Sequence, residues 1–242
     1  VGGLHGERRV HGEHDVDPRV AYDIRPRAPS RSREGEAEQC NGAGDAERTG
    51  PRRRARSDRR EPIDRRIAAE RAEALDVPIY LHPAQPHQTV ADIYYKDYLK
   101  EFPALLTAGW GFGVETATQS IRLVLSRVFE KHPKLKIIIG HMGEGLPFSL
   151  WRINQALSRQ GNRPIPFRDV FCEHFWITTS GNFSNPALLC SVMEMGVERI
   201  LFSIDWPFVD NPPGTDWIKT MPLGAADRAK ILHGNAERLL KL

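Results

Sequence analysis

The sequence predicts an α/β protein built on a parallel sheet, and three observations carry that reading. Short apolar runs recur at wide spacing, helical periodicity fills the intervals between them, and three of four such runs end in His or Asp. The first run is Val77-Pro78-Ile79-Tyr80-Leu81-His82, a short buried strand stopped by Pro83. Residues 117–131 place Ile121, Val124, Leu125, Val128 and Phe129 on one helical face, with Arg122, Arg127 and Lys131 off it. Lys136 to His141 is the second strand, and a helix follows from Pro147 to about Arg159. Phe175 to Thr179 is the third strand. Asn185 and Pro186 then read as N-cap and first position of a helix that runs to Met195 and closes at Gly196. The fourth strand is Arg199 to Asp205, and Ala225 to Leu242 reads as two short helices around His233-Gly234-Asn235. Strands and helices in alternation imply parallel pairing with right-handed crossovers.

Composition divides the chain into two parts, 1–72 and 73–242. Residues 1–72 hold 17 Arg, no Lys, a single Leu (Leu4) and no Phe, Trp or Met, which leaves almost nothing from which to build a core. The segment is expected to be disordered, or to be the product of a G+C-rich gene read out of frame. Its 14 acidic residues dilute the arginines and Tyr22 is its one aromatic, which argues against a nucleic-acid-binding arm. No run of apolar residues is long enough to cross a membrane, and the first residues lack the order of a signal peptide. Three cysteines, Cys40, Cys172 and Cys190, show no metal-type spacing and point to a reducing compartment. The expected location is the cytoplasm.

The chemistry sits at strand ends. His82, His141 and Asp205 close the first, second and fourth strands, and the C-terminal ends of strands are where barrel enzymes assemble their sites. A histidine at a strand end, taken alone, is usually a hydrogen-bonded structural residue. Three such endings meeting at one barrel mouth make a mixed imidazole and carboxylate set suited to Zn²⁺, Mn²⁺ or Fe²⁺, and Asp205 can also exchange a proton. His87, His132, His174 and His233 fall in loops or near helix ends, where capping or surface roles are the default, and Cys172 and Cys190 read as packing residues.

Four segments give the reading a family. They are Pro78-Ile79-Tyr80-Leu81-His82-Pro83, the run from Gly140 to Phe148, Ile177-Thr178-Thr179-Ser180-Gly181-Asn182-Phe183, and Phe202-Ser203-Ile204-Asp205-Trp206-Pro207. In order and spacing they resemble the signature segments of the amidohydrolase-related, ACMS-decarboxylase-like family, nearest its γ-resorcylate and 2,3-dihydroxybenzoate decarboxylases. The resemblance covers about residues 72–242 and implies the C-terminal portion of a metal-dependent TIM (β/α)8 barrel. It implies that His82 and Asp205 ligate a divalent metal ion, Zn²⁺ or Mn²⁺, and that His141, paired with Glu144, is an acid/base group over the substrate. Arg152 is expected to meet a substrate carboxylate and Phe208 to wall an aromatic pocket, although a solvated helix residue and a core residue are the respective alternatives. The implied reaction is loss of CO₂ from a small hydroxylated aromatic acid. Asp205 is the expected proton donor and His141 the alternative. Partners are a small aromatic carboxylate and further copies of the chain in a homo-oligomer, with no nucleic acid and no membrane.

The same family begins with a strand that carries an acid or histidine, one further residue and a histidine, which supply two more ligands. His11-Gly12-Glu13-His14 has the residue types but no apolar strand before it. The first half of the barrel is therefore expected to be missing, with open sheet edges and an exposed apolar face. A metal-dependent hydrolase acting on a lactone or amide uses overlapping ligands, and an inactive remnant is the third possibility.

Overall fold

The computed structural model describes residues 65–159 and 161–242. The expectations for residues 1–64, including the His11 to His14 run, lie outside the described residues. The elements in chain order are α1 (Arg65–Leu75), β1 (Ile79–Leu81), α2 (Gln88–Tyr94), α3 (Gly111–Leu125), α4 (Val128–Lys131), β2 (Ile137–Ile139) and α5 (Leu146–Leu157). There follow α6 (Phe167–His174), β3 (Phe175–Thr178), α7 (Asn185–Met195), β4 (Ile200–Leu201), α8 (Asn211–Ile218), α9 (Ala225–Ala229) and α10 (Asn235–Leu240). The four strands form one parallel sheet in the order β1-β2-β3-β4, so each strand pairs with the next in sequence.

Register explains which side chains go where. Tyr80, Ile138 and Trp176 lie side by side across the sheet, and Leu81, Ile139, Ile177 and Ile200 form the next row. Successive residues of a strand face opposite ways. Ile137, Ile139, Phe175, Ile177 and Ile200 pack with Leu150 of α5, Leu188 of α7 and Val124 of α3 into the main core. Tyr80, Ile138 and Trp176 face the other way, where Ile138 and Leu201 meet Leu239 of α10.

Several boundaries differ from the sequence reading for identifiable reasons. The single helix expected over 117–131 is two helices, because Arg127 takes φ 57° between α3 and α4. Asn185 is the first residue of α7, not its N-cap. Its amide is used elsewhere: Asn185 Oδ1 accepts from Trp217 Nε1 at 2.8 Å and Nδ2 donates to the Thr220 carbonyl at 3.2 Å. Helix α1 buries Ala69 and Ala72 in the core, so ordered structure reaches back across residue 72.

Of the open sheet edges expected, the one at β4 is covered. Phe202 N–H donates to the Ile231 carbonyl at 2.9 Å, in the π-helical turn Lys230–Gly234. Asn235 Nδ2 donates to the Val197 and Ile200 carbonyls, both at 2.8 Å. The C-terminal segment thus occupies the edge that an unpaired strand would offer to another chain. Arg238 pairs with Glu198, and Lys241 with Asp76, at the N-terminal ends of the strands.

Candidate active site

His82 follows β1 directly, and its ring Nδ1–H donates to the Pro83 carbonyl at 2.7 Å. That bond fixes the ring and leaves Nε2 with its lone pair pointing outward, the form in which imidazole ligates metals.

Beyond β2 the backbone turns left-handed for five residues in succession. The φ angles are 51° at His141, 56° at Met142, 77° at Gly143, 54° at Glu144 and 76° at Gly145. Such a run is costly for L-residues, about 1–2 kcal/mol at each non-glycine position. Gly143 has no substitute here, since a Cβ would lie 2.9 Å from Pro147 Cδ and 3.0 Å from Ile177 Cγ2. The turn stacks residues 141 and 144, so that His141 Nδ1–H donates to Glu144 Oε1 at 2.6 Å. The Glu144 carboxylate is nearly enclosed, and it raises the His141 pKa above the ordinary imidazole value although burial opposes that.

The other nitrogen of His141, Nε2, faces Asp205 Oδ2 at 3.6 Å. Asp205 also has positive φ, 83°, which swings its carboxylate back over the strand ends. Gly181 (φ 57°) lets the β3 backbone pass close by: a Cβ there would be 3.4 Å from Asp205 Oδ2 and 3.7 Å from His141 Cδ2. Asn182 Nδ2 donates to the His141 carbonyl at 3.4 Å and ties this loop to the left-handed turn.

His82, His141, Asp205 and Phe208 line one cleft of about 600 Å³, together with Tyr80, Ser180, Ser203 and Trp206. Phe208 stands at its rim, 81% exposed. Arg152 is exposed on α5 and is not among the lining residues. Among the described residues no three His, Cys, Asp or Glu side chains are grouped closely enough to hold an ion together. The expected three-ligand cluster of His82, His141 and Asp205 is therefore not formed. Glu144 and Asp205 face the two nitrogens of His141, so the groups that could hold a metal are His82 Nε2 and the Asp205 carboxylate. That nitrogen and oxygen pair fits Mn²⁺ or Zn²⁺ in kind, but it is one protein ligand short of the usual catalytic set.

Tyr80, Ser180, Gly181, Asn182 and Ser203 lie within the recognised segments, but the sequence assigns them no role of their own. The available signal was a run of hydroxyls, Thr178-Thr179-Ser180, in a strand that should otherwise be apolar. Of the other histidines among the described residues, His87, His132 and His174 have structural contacts and His233 pairs with Glu237 at the surface. His174 is buried, stacks on Phe129 at 4.3 Å and donates to the Leu135 carbonyl, His132 pairs with Glu73, and His87 caps α2. Burial raises the Cys172 and Cys190 thiol pKa values, as suits packing residues.

A family model described as Amidohydrolase matches residues 36–242. The chain is 46% identical over 178 residues to a γ-resorcylate decarboxylase of Polaromonas sp., which covers 72% of this chain and 53% of the relative. A γ-resorcylate decarboxylase of Rhizobium sp. is 45% identical, covering 70% and 52%. Among solved structures, a dihydroxybenzoic acid decarboxylase of Polaromonas sp. with manganese and the inhibitor 2-nitroresorcinol superimposes with TM-score 0.66 at 44% identity. It covers 72% of this chain and 52% of that one. A 2,6-dihydroxybenzoate decarboxylase with bound 2,6-dihydroxybenzoate gives TM-score 0.67 at 44% identity, covering 73% and 55%. The chain spans about half the length of the curated relatives it matches.

Proposed function

Because the chain belongs to the amidohydrolase family, we propose that its cleft serves the non-oxidative decarboxylation of a hydroxylated aromatic acid of the γ-resorcylate type. The observation that carries this reading is the His141 and Glu144 pair aimed at Asp205 across the cleft that His82 also lines. Relatives that bind manganese and dihydroxybenzoates support the choice of metal and substrate.

His82 Nε2 and the Asp205 carboxylate would hold the divalent metal, which when bound supplies positive charge for the substrate carboxylate and its neighbouring ring oxygen. Asp205 delivers a proton to the ring carbon that bears the carboxylate. A C–H bond forms there, the bond to the carboxyl carbon breaks, its electron pair remains with the ring and CO₂ leaves. His141 supplies Asp205 with a fresh proton across the 3.6 Å gap and takes its own from solvent at the cleft mouth. Glu144 raises the proton affinity of the imidazole and orients it for that transfer. Phe208 and Trp206 at the rim provide aromatic surface against the substrate ring. Arg152, exposed on α5 and outside the cleft lining, has no contact among the described residues that supports its expected role.

The same reading makes the protein a cytoplasmic homo-oligomer. Exposed Tyr94 at the end of α2, with Tyr98, Phe102 and Trp110 between α2 and α3, supplies apolar surface for association. Among the described residues no helix is long and apolar enough to cross a membrane.

The test is to supply purified chain with Mn²⁺ and a panel of dihydroxybenzoates and to measure CO₂. Release from 2,6-dihydroxybenzoate, abolished by Asp205→Asn, is the expected result. Hydrolysis of lactones or amides without CO₂ release would replace the reading with a hydrolase.

A further inference from the structure

The floor of the cleft carries a set of hydroxyls from neighbouring strands whose arrangement the proposed reaction does not use. Tyr80 Oη lies 3.1 Å from Thr178 Oγ1 and 3.4 Å from Ser180 Oγ. Thr178 Oγ1 and Ser180 Oγ are 2.6 Å apart, and Ser180 Oγ–H donates to Ser203 Oγ at 3.0 Å. Thr178 and Ser180 are buried, at 3% and 2% exposure, so neither can draw on bulk water to satisfy itself.

Counting protons fixes the direction of this chain. A hydroxyl has one hydrogen to give. Ser180 spends its hydrogen on Ser203, so it must accept from Thr178. Thr178 thereby spends its own, and it accepts from Tyr80 and from the Ser180 backbone N–H at 3.4 Å. The chain runs Tyr80 to Thr178 to Ser180 to Ser203, and each link polarises the next in the same sense. Ser203 is left with a hydrogen for which the described residues offer no acceptor, and Ser203 lines the cleft.

Ser203 is also held in place. Its backbone N–H donates to Thr179 Oγ1 at 3.0 Å, and Thr179 Oγ1–H donates to the Ser203 carbonyl at 2.7 Å. Thr179 is fully buried. At the other end the phenol lies over Gly140, where even a Cβ would be in ordinary contact, 3.7 Å from Tyr80 Oη. A donor at the end of a polarised chain, fixed on both backbone atoms and facing a cleft, is suited to an acceptor-only group such as a carboxylate or phenolate.

We propose that the Ser203 hydroxyl is a hydrogen-bond subsite for an ionised oxygen of the aromatic acid, with its direction and donor strength set by the buried chain that begins at Tyr80. The class of ligand rests on the function proposed above. Ser203 is the residue that touches the ligand, and Tyr80 and Thr178 are positioning residues that act through it.

The experiment is calorimetric titration of 2,6-dihydroxybenzoate into the full chain supplied with Mn²⁺, with CO₂ release followed in parallel. Ser203→Ala should weaken binding about tenfold, the size of a hydrogen bond to a charged group. Tyr80→Phe should weaken it about two- to threefold through lost polarisation, and should change nothing further in the Ser203→Ala background. Near-ultraviolet circular dichroism and melting curves identify any variant that has lost its fold, for which Ser203→Thr, retaining the hydroxyl, is the control expected to keep binding. Binding by Ser203→Ala within about twofold of the parent overturns the proposal, as does an undiminished effect of Tyr80→Phe when Ser203 is already Ala. Absence of binding by the parent chain overturns it too. The gas assay separates this subsite from the reaction: Ser203-dependent binding without CO₂ keeps the subsite and removes the decarboxylase. CO₂ release that is indifferent to Ser203→Ala removes the subsite alone.

Discussion

Glu144 does its work through a single short contact, the 2.6 Å bond to His141 Nδ1. A carboxylate in that position fixes the tautomer and raises the basicity of the ring, and losing such a partner commonly costs 10–100-fold in activity. Glu144→Gln should therefore lower kcat by about that factor while leaving the melting temperature nearly unchanged, which steady-state kinetics and calorimetry would establish together. Gly143→Ala should do the reverse. Its φ of 77° and the contacts awaiting a Cβ at Pro147 and Ile177 predict a loss of about 1–3 kcal/mol in stability, visible in denaturant melts. The site residues that were legible in the sequence share one property, in that a strand end followed by His or Asp marks them. Glu144 was legible only through its distance from His141 within a recognised segment. The left-handed run that makes the pair work was not, because Met142 and Glu144 carry no sign that their φ is positive. Ser180 and Ser203 lie in recognised segments, but Ser and Thr occur too widely for a hydroxyl at a strand end to reveal a role.

Among the elements, the C-terminal segment decides whether the sheet has an open edge. Asn235 is 1% exposed and satisfies two carbonyls, those of Val197 and Ile200. Asn235→Ala leaves both without a partner and should destabilise by about 2 kcal/mol, with increased aggregation on heating as the β4 edge is uncovered. Light scattering during a thermal ramp would register the change, and an unaltered ramp would show that Asn235 is dispensable. The start of β1 makes a prediction about pH. Lys136, at 2.5 Å, and Lys241 hold the Asp76 pKa down at about 2 from its ordinary 3.8. The unfolded chain then binds more protons at this position than the folded one, so the Asp76 contribution is present above about pH 4. It fades as pH falls through about 2. Asp76→Asn should flatten the stability profile across that window and leave it unchanged at pH 7 and above in slope, although the effect is small because the pair is solvent-exposed. Helices and strands were readable from periodicity, but their ends were not. Arg127 splits a helix whose apolar face continues across the break, and the Asn185 amide is claimed by Trp217 from a distant helix, which local capping chemistry does not reveal.

At the scale of the molecule, the described residues bring two candidate metal donors to the cleft, His82 and Asp205, against the usual three of a catalytic site. The shortfall has a measurable consequence. A site with only His82 Nε2 and the Asp205 carboxylate contributed by the described residues should take up Mn²⁺ weakly. Titration calorimetry should show saturation well above stoichiometric metal, and the melting temperature should keep rising with metal concentration because only the folded chain binds. His82→Ala and Asp205→Asn should each abolish both responses. Glu144→Gln should leave them largely intact, because Glu144 acts on His141 and not on the metal. Tight one-to-one uptake that survives His82→Ala would move the cation away from this cleft, and the proton path from His141 to Asp205 would then have to account for the chemistry without it.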